Sequence, residues 1–387
     1  MSTCPACGKT SDQQFYRQDP EPVNSTLLMP THHRAINFPK ATINLALCLD
    51  CGFIWNSEFD SLNQEYSTQC EESQGFSKTF REWHESLSVR LVKRFSLRGK
   101  TVLEIGCGKG DFLAHLCVLG DNRGIGYDPA YIAERQPESV YRLMQVHQEF
   151  WSHSRGVHGA DFIVCRHTLE HIPDVLHFVS SIRAAIDEAH STLVFFEVPD
   201  MQRILKEVAF QDVYYEHCSY FTRDSLVGLF ARCGFDVFDC WYDFHDQYLC
   251  LIARPGISSA QVQIQTGPLA HEAREFSEAA EILRHQWQKK LSDWSNTERQ
   301  IVLWGGGSKA VTFLNRIDTS RCVQRVIDVN PHKHGAFIPG SGQPVLGPEA
   351  LLQCPADVVI IMNPVYREEI SQHLAIMGQS PELLTLA

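Results

Sequence analysis

A glycine-rich stretch, LEIGCGKGDF at residues 103–112, has the residue types of a ligand-binding turn. Its three glycines are Gly106, Gly108 and Gly110. Glycines here let the backbone approach a ligand closely while the chain passes from a strand into a helix. Glu104 stands at the end of that strand, and Asp128 ends the next predicted strand roughly 20 residues later, where an acid can bind ribose hydroxyls. The pattern predicts a nucleoside site, although a glycine-rich structural turn would look similar.

The acidity of this loop indicates the kind of ligand. A dinucleotide site usually reads G-x-G-x-x-G and leaves the helix N-terminus free for pyrophosphate. The acidic E-x-G-x-G-x-G form instead suits a cationic cofactor without phosphate, and S-adenosylmethionine fits. Glu149 and Phe150 are predicted to border the adenine, and Arg166 and His167 to lie at the carboxyl edge of the sheet. His171 is predicted to be an ordinary helix histidine.

A second stretch, DVYYEHCSYFT at 212–222, concentrates polar aromatic side chains around one imidazole. Its members are Tyr214, Tyr215, Glu216, His217 and Tyr220. A histidine beside a carboxylate and phenols can act as a general base, because its pKa lies near neutrality. The start of an amphipathic helix would give a similar pattern, so spacing alone leaves both interpretations open.

Four cysteines form two C-x-x-C pairs near the N-terminus. They are Cys4, Cys7, Cys48 and Cys51. Each pair is followed by a glycine, which permits a tight turn, so the four thiolates could surround one zinc ion tetrahedrally. A site with four cysteine ligands has no open position and is therefore predicted to be structural. The alternative is four ordinary reduced cysteines.

A third stretch, LWGGGSKAVTFLN at 303–315, has the strand-glycine-helix form of a phosphate cradle. Ser308 and Lys309 could add a hydroxyl and a positive charge for a substrate diphosphate. The alternative is a turn that only packs. The sequence NPVY at 363–366 resembles an amino-methylation motif, but it lies outside the cofactor-binding unit and is predicted to be a turn.

Strand-like and helix-like runs alternate along most of the chain, which predicts an α/β fold. The predicted strands are TVLEIG (101–106), NRGIGYD (122–128), ADFIVCR (160–166) and STLVFFEVP (191–199). A long helical pattern at 270–294 precedes a second, smaller α/β unit. We predict three segments, with boundaries at 1–74, 75–255 and 256–387.

Charge and hydropathy exclude several classes of partner. The chain has 387 residues and a net charge of -12, without a cluster of lysine and arginine, which argues against nucleic acid as a partner. It lacks the long apolar run of a membrane span and the start of a signal peptide. We therefore expect a cytoplasmic protein with a small-molecule substrate and no membrane partner.

Taken together, these motifs resemble the zinc-containing, S-adenosylmethionine-dependent sugar C-methyltransferases. The resemblance runs through CPAC, CLDCGFIWN, EESQGFSKTF, LEIGCGKGDF, CRHTLEH, YYEHCSYF, LWGGGSKAVTFLN and DVNPHKHGAFIPGSGQPV, and so covers nearly the whole chain. It implies a Cys4 zinc module at 1–74, a class I methyltransferase domain at 75–255 and a Rossmann-like substrate domain at 256–387.

The resemblance also implies a reaction. In this family a Tyr-x-Glu-His segment, matched by Tyr214, Glu216 and His217, supplies the base that removes a proton from a carbon beside a ketone. The substrate is a nucleotide-linked deoxysugar, and the enolate carbon takes the methyl group from sulfur. Tyr215 and Tyr220 are expected to contact the substrate.

This chain departs from the family at one position. Cys70 stands where a second active-site tyrosine is expected, and Tyr66, slightly earlier, is the candidate replacement. O- or N-methylation of another natural-product or polysaccharide precursor is therefore an alternative function. A zinc-ribbon nucleic-acid methylase is a more remote one.

Overall fold

A computed structural model of the protein describes residues 2–63, 65–187, 191–256, 264–317 and 322–386. The strands in this part of the chain are β1 (Asp12–Pro22), β2 (Lys40–Cys48), β3 (Ile54–Asn56), β4 (Thr101–Ile105), β5 (Arg123–Tyr127), β6 (Met144–His147), β7 (Phe162–Arg166), β8 (Leu193–Pro199), β9 (Ser219–Tyr220), β10 (Phe235–Asp243), β11 (Tyr248–Pro255), β12 (Ile301–Trp304), β13 (Val323–Ile327), β14 (Val345–Leu346), β15 (Val358–Ile361) and β16 (Glu382–Thr385).

The α-helices are α1 (His32–Ile36), α2 (Lys78–Arg94), α3 (Asp111–Gly120), α4 (Glu138–Tyr141), α5 (Val175–Ala185), α6 (Met201–Lys206), α7 (Arg223–Arg232), α8 (Gly267–Ser295), α9 (Ser308–Arg316), α10 (Ala350–Gln353) and α11 (Arg367–Ile376). Short 3-10 helices span Ser61–Asn63, Ala133–Arg135, His153–Arg155, Leu169–His171, Phe210–Asp212, Pro331–Lys333 and Pro364–Tyr366. None of the helices in the described residues has the length and apolar character needed to cross a membrane.

The largest sheet has seven strands in the order β10-β11-β8-β7-β4-β5-β6. The pairs from β8 to β6 are parallel, whereas β11 runs antiparallel to both of its neighbours. Strand order reverses between β4 and β7, which is where an open α/β sheet binds its ligand. The predicted class I, Rossmann-like α/β fold is confirmed, and the four predicted strands of this unit are β4, β5, β7 and β8.

A second sheet joins the N-terminal segment to the middle of the chain. Strands β1, β2 and β3 are antiparallel, and β9 adds to the edge of β3 by pairing Ile54 with Tyr220 and Trp55 with Ser219. Thr222 then caps α7 by accepting a hydrogen bond from the backbone N–H of Ser225. The segment between residues 214 and 222 is therefore held at its C-terminal end by a strand pair and a helix cap.

The third sheet is parallel throughout and has the order β14-β13-β12-β15-β16. The second α/β unit is thus a smaller sheet of its own. Helix α8 packs between this sheet and the first segment, with Phe276 against Tyr16 of β1 at 4.9 Å and Trp287 against Phe313 of α9 at 5.6 Å between ring centroids. The glycine loops that follow β4 and β12 line the same cavity.

Candidate active site

One large cavity, of about 1410 Å³, is lined by residues from all three segments. Pockets for a single small molecule are usually about 300–1,000 Å³, so this cavity has room for a cofactor and a second ligand. The predicted site residues that line it are Tyr66, Glu104, Gly106, Gly108, Asp128, Phe150, Arg166, His167, Tyr214, Glu216, His217, Ser308 and Lys309. The structure therefore brings most of the predicted site together.

The glycine loop after β4 has no space for side chains on its cavity side. Gly106 and Gly108 have φ angles of +73° and +53°, and a Cβ on Gly106 would overlap the side chain of Thr168. The backbone N–H of Gly108 donates to Asp128 Oδ2 at 2.8 Å. Only glycine at these positions leaves the backbone open to a ligand.

Two residues of the predicted cofactor site lie outside the cavity lining. Gly110 directly precedes α3, and a Cβ there would come within 3.2 Å of the Tyr131 ring, so its role is to let the helix start. Glu149 forms an ion pair with Arg155 at 2.6 Å, which turns its carboxylate to the surface. Its neighbour Phe150, 67% exposed, does border the cavity.

Glu104 is a buried carboxyl group at the base of the loop. Its Oε2 atom has no hydrogen-bond partner within the described residues, and burial raises the pKa of this group to about 8. A buried carboxylate with one unpaired oxygen is destabilised in its charged form, and a nearby cation would offset that cost. The loop and Glu104 together fit S-adenosylmethionine, whose ammonium and sulfonium groups are positive.

Cofactor binding is therefore expected to release protons at pH 7. Because the pKa of Glu104 is about 8 in the free protein, its carboxyl group is mostly protonated at pH 7, and a bound cation should lower that pKa. Calorimetric titration with S-adenosylmethionine in buffers of different ionisation enthalpy should show release approaching one proton, decreasing as the pH rises above 8. Glu104→Gln should abolish the release and Glu149→Gln should retain it; equal release from Glu104→Gln would contradict the assignment.

Arg166 and His167 meet at one buried carboxylate that the sequence did not reveal. Arg166 Nη2 donates to Glu197 Oε1 at 2.7 Å, and His167 Nε2 lies 2.9 Å from the same oxygen. The guanidinium also stacks on the Phe112 ring at 4.0 Å. Burial opposes a charge on His167, but hydrogen bonds to Glu170 and Glu197 raise its pKa to about 9. Both cations are thus balanced by buried acids within the cavity wall.

His217 lies in an aromatic and imidazole cluster at the cavity floor. Its ring centroid is 4.1 Å from that of Tyr214 and 4.7 Å from that of His171. Burial, followed by the neighbouring His171 and His167, holds the pKa of His217 well below its ordinary value. The imidazole is therefore neutral near pH 7 and can accept a proton.

Glu216 links the three segments through Ser25. Its Oε1 accepts hydrogen bonds from both the backbone N–H, at 2.9 Å, and the hydroxyl of Ser25. Burial raises the pKa of Glu216 to about 7. The Oγ atoms of Ser25 and Ser308 are 2.6 Å apart, which connects this carboxyl group to the start of α9. Ser25 was not singled out from the sequence.

The predicted substrate contacts Tyr215 and Tyr220 lie in the protein core instead. Tyr215 is fully buried, and its hydroxyl accepts a hydrogen bond from the backbone N–H of Asp60 at 2.9 Å. The hydroxyl of Tyr220 donates to the backbone carbonyl of Tyr214 at 3.3 Å. Neither side chain lines the cavity, because the turn and strand β9 direct them toward the N-terminal sheet.

Tyr66 occupies the cavity beside the imidazoles. Its ring lies edge-on to His171, at 5.7 Å between centroids, and its buried hydroxyl has no hydrogen-bond partner in the part of the chain that the structure describes. Burial keeps the pKa of Tyr66 well above its usual value, so the phenol is a hydrogen-bond donor. Cys70 also lines the cavity, and its backbone carbonyl accepts a hydrogen bond from Lys109 Nζ at 2.9 Å.

His171 was expected to be an ordinary helix histidine, yet the structure places it in the site. It ends the 3-10 helix Leu169–His171, lines the cavity, and its Nδ1 hydrogen-bonds the backbone carbonyl of Glu216 at 2.9 Å. Periodicity over so short a helix could not indicate which way its side chain points.

The glycine loop after β12 faces the cavity from the third sheet. The backbone N–H of Gly306 donates to Asp328 Oδ2 at 2.6 Å, which repeats the arrangement of Gly108 and Asp128. Lys309 is ion-paired with Asp212, which also accepts a hydrogen bond from Arg203 at 2.6 Å. The charge of Lys309 is therefore already shared, although the residue lines the cavity as predicted.

The four cysteines of the N-terminal segment form a compact cluster away from the cavity. The Sγ atoms of Cys4 and Cys51 are 3.7 Å apart, those of Cys7 and Cys48 are 3.6 Å apart, and all four lie within 4.8 Å of one another. Tetrahedral zinc with Zn–S bonds of about 2.3 Å separates its sulfur ligands by about 3.8 Å. The cluster fits a zinc ion.

Two protein families match separate parts of the chain. Residues 78–239 match a family described as a methyltransferase domain, and residues 269–382 match a C-methyltransferase C-terminal domain. The first match covers the five parallel strands β4 to β8 of the seven-stranded sheet and its glycine loop. The protein is an S-adenosylmethionine-dependent methyltransferase.

Curated relatives and solved structures of methyltransferases are similar to this methyltransferase. The C-methyltransferase NovU of Streptomyces niveus is 26% identical over 301 residues, covering 72% of this chain and 70% of NovU. A ubiquinone biosynthesis O-methyltransferase of Hydrogenovibrio crunogenus is 27% identical over 139 residues, covering 34% and 56% of the two chains. The 1,6-didemethyltoxoflavin-N1-methyltransferase structure of Burkholderia thailandensis aligns with a TM-score of 0.37 and 17% identity, covering 46% and 81%.

Proposed function

We propose that this methyltransferase methylates a carbon atom beside a ketone in a nucleotide-linked deoxysugar, with His217 as the general base. The observation that carries the proposal is the shared cavity, which has His217, the cofactor loop and the glycine loop of the third sheet on its walls. The similarity to NovU, which is named a C-methyltransferase, supports transfer to carbon.

The side chains around His217 suit proton removal from carbon. A ketone acidifies the neighbouring C–H bond, and a neutral imidazole can take that proton. Tyr214 and Tyr66 would donate hydrogen bonds to the oxygen on which negative charge develops. The bound cofactor would supply a methyl group on a positively charged sulfur. The protein then has to hold carbon, methyl and sulfur in line.

The third sheet supports a substrate that carries a nucleotide diphosphate. Backbone N–H groups at the start of α9, with Ser308, would bind phosphate oxygens. Lys333 also lines the cavity, but its Nζ lies 3.5 Å from Asp328 Oδ2, so its charge is partly shared. Asp328 accepts a hydrogen bond from the backbone N–H of Gly306, just as Asp128 accepts one from Gly108 in the cofactor loop. Asp328 would therefore accept hydrogen bonds from ribose hydroxyls. Lys309 would contribute less charge than the sequence suggests, because it is paired with Asp212.

We also propose that the cysteine cluster binds a structural zinc ion, with Cys4, Cys7, Cys48 and Cys51 as its four ligands. The sulfur separations support this assignment. We also propose three domains: a zinc-binding module at 1–74, a methyltransferase domain at 75–255 and a substrate domain at 256–387. Strand β9 belongs to the second of these and pairs with β3 of the first.

Solvent exchange tests the proposed chemistry directly. The protein, loaded with S-adenosylhomocysteine, is incubated in D2O with a panel of nucleotide-linked ketosugars and matched sugars without a ketone. We expect deuterium at the carbon beside the ketone, seen by NMR or mass spectrometry, in a ketosugar that is also methylated when S-adenosylmethionine is present. Methylation at oxygen or nitrogen, without exchange at carbon, would instead identify an O- or N-methyltransferase.

A further inference from the structure

The two parallel sheets present equivalent turns to the cavity, one after β5 and one after β13. Each begins with an aspartate, Asp128 or Asp328, directly after its strand. In both, Oδ2 accepts a hydrogen bond from the backbone of the glycine loop, at 2.8 Å and 2.6 Å respectively. Oδ1 accepts one from the backbone N–H two residues later in the chain, at 2.7 Å and 2.8 Å. We call residues 128–130 the first aspartate turn and residues 328–330 the second.

The chain at Cys70 and Glu71 is hydrogen-bonded to both aspartate turns. On the side of the first turn, Lys109 Nζ donates to the backbone carbonyls of Cys70, at 2.9 Å, and Ala130, at 2.8 Å. On the side of the second turn, Asn330 Nδ2 donates to Glu71 Oε1 at 2.9 Å. A short stretch of the N-terminal segment therefore joins the two turns.

Glu71 is a buried carboxylate with both oxygens paired. Its Oε2 accepts a hydrogen bond from Arg135 Nη2 at 2.5 Å, and Arg135 ends the 3-10 helix Ala133–Arg135 that follows the first turn. The residue is 3% exposed. Burial opposes its charge, but hydrogen bonds from Asn330 and Arg135 lower its pKa below the ordinary value. These contacts stabilise the charged form, so the carboxylate needs no further ligand.

We propose that Glu71 is a positioning residue that couples the cofactor site to the acceptor site by joining the two aspartate turns. A cofactor bound at the first turn would immobilise that turn and the 3-10 helix after it. Arg135 would then fix Glu71, and Glu71 would fix Asn330 in the second turn. A ligand that binds a turn already ordered loses less conformational entropy. That the second turn binds the acceptor rests on the function proposed above, whereas the coupling between the turns does not.

Hydrogen exchange in the full-length protein measures the coupling without an acceptor. S-adenosylhomocysteine is added, and amide exchange is followed by mass spectrometry over residues 329–334, which include the 3-10 helix Pro331–Lys333. We expect exchange there to slow by at least about fivefold in the wild type, the lower end of typical coupling between two sites. Glu71→Gln should abolish the slowing, because an amide offers one oxygen where Arg135 and Asn330 need two acceptors.

Exchanging donor and acceptor across the same contact should restore the coupling. Asn330→Asp alone places a second carboxylate against Glu71, so the slowing should again be lost. In the double variant, Glu71→Gln with Asn330→Asp, the introduced amide accepts from Arg135 and donates to the introduced carboxylate, so the slowing should return. A merely structural role would not produce this rescue. Glu82→Gln, which removes an exposed carboxylate from α2, is the matched control and should behave as the wild type does.

Calorimetry with nucleotides tests the acceptor side separately. The affinity for S-adenosylhomocysteine is measured with and without saturating UDP, GDP or dTDP. In the wild type, a nucleotide that binds should raise this affinity by at least about fivefold, and the increase should be absent in Glu71→Gln.

The outcomes separate the coupling from the proposed acceptor. Exchange that does not slow in the wild type, or that slows equally in a folded Glu71→Gln protein, overturns the coupling, and so does a nucleotide that binds without changing cofactor affinity. If Glu71→Gln fails to fold, Asn330→Asp and the double variant decide in the same way. If the slowing and its rescue occur but none of the three nucleotides binds, the coupling between the turns stands and the nucleotide-linked acceptor is contradicted.

Discussion

Replacing His217 with alanine is expected to lower methyl transfer by about 100- to 10,000-fold, the usual contribution of a general base. The imidazole is the neutral group at the centre of the cavity floor, with Tyr214 and His171 packed against it. Cofactor affinity should change little, because the predicted cofactor contacts come from a separate part of the chain: Glu104 from β4, and Gly106 and Gly108 from the loop that follows it.

Single-turnover kinetics with the ketosugar selected by solvent exchange, together with calorimetric binding of S-adenosylhomocysteine, would measure both effects. His271→Ala removes an exposed imidazole from α8 and should leave both quantities unchanged. His217→Gln serves as a second variant that preserves more of the side-chain volume. Turnover within a few-fold of the wild type in a folded His217 variant would exclude this residue as the base.

Removal of the zinc ion proposed for the cysteine cluster is expected to unfold the N-terminal sheet and to abolish activity with it. Structural zinc contributes about 10–16 kcal/mol of apparent binding free energy in zinc-finger peptides, and that binding is coupled to folding. The effect should be smaller here, because Phe53 beside the cluster also packs on Phe221 at 5.3 Å between ring centroids. His217 lies two residues before strand β9, which pairs with β3. Unfolding of β3 should therefore displace His217 as well.

Thermal unfolding, metal analysis and hydrogen exchange of β1–β3 before and after chelation would measure this loss. Cys48→Ser should reproduce it by removing one ligand. Cys354→Ser, at the end of α10, changes a cysteine remote from the cluster and is the control. A metal-free protein with unchanged melting temperature and unchanged exchange protection in β1–β3 would show that the cluster is not a structural metal site.

Much of the fold could be predicted from local sequence patterns. The apolar runs that became β4, β5, β7 and β8 are buried almost throughout, which is why they stood out from the helix-like runs as strands of an α/β sheet. The long helix α8 has a regular apolar face, which indicated its period, but it begins at Gly267, before the predicted start at residue 270. The glycine loop was predictable because positive φ angles and close approach both demand glycine.

The rest depended on contacts between residues that are distant in sequence. Ser25 donates a hydrogen bond to Glu216 from another segment of the chain. Glu197 of β8 pairs with Arg166 and His167, which lie at the end of the neighbouring strand β7. Strand β9 is only two residues long, below the length at which alternation can be detected. Its direction is what sends Tyr220 into the core, so a count of polar aromatic residues overestimated the substrate site.

The pairing of Ser219 and Tyr220 with β3 has a practical consequence for recombination among related enzymes. A chimera that exchanges residues 1–74 alone would leave a foreign edge beside the segment that carries His217. Functional chimeras should therefore exchange residues 214–222 together with residues 1–74, because the two stretches form one paired structural unit.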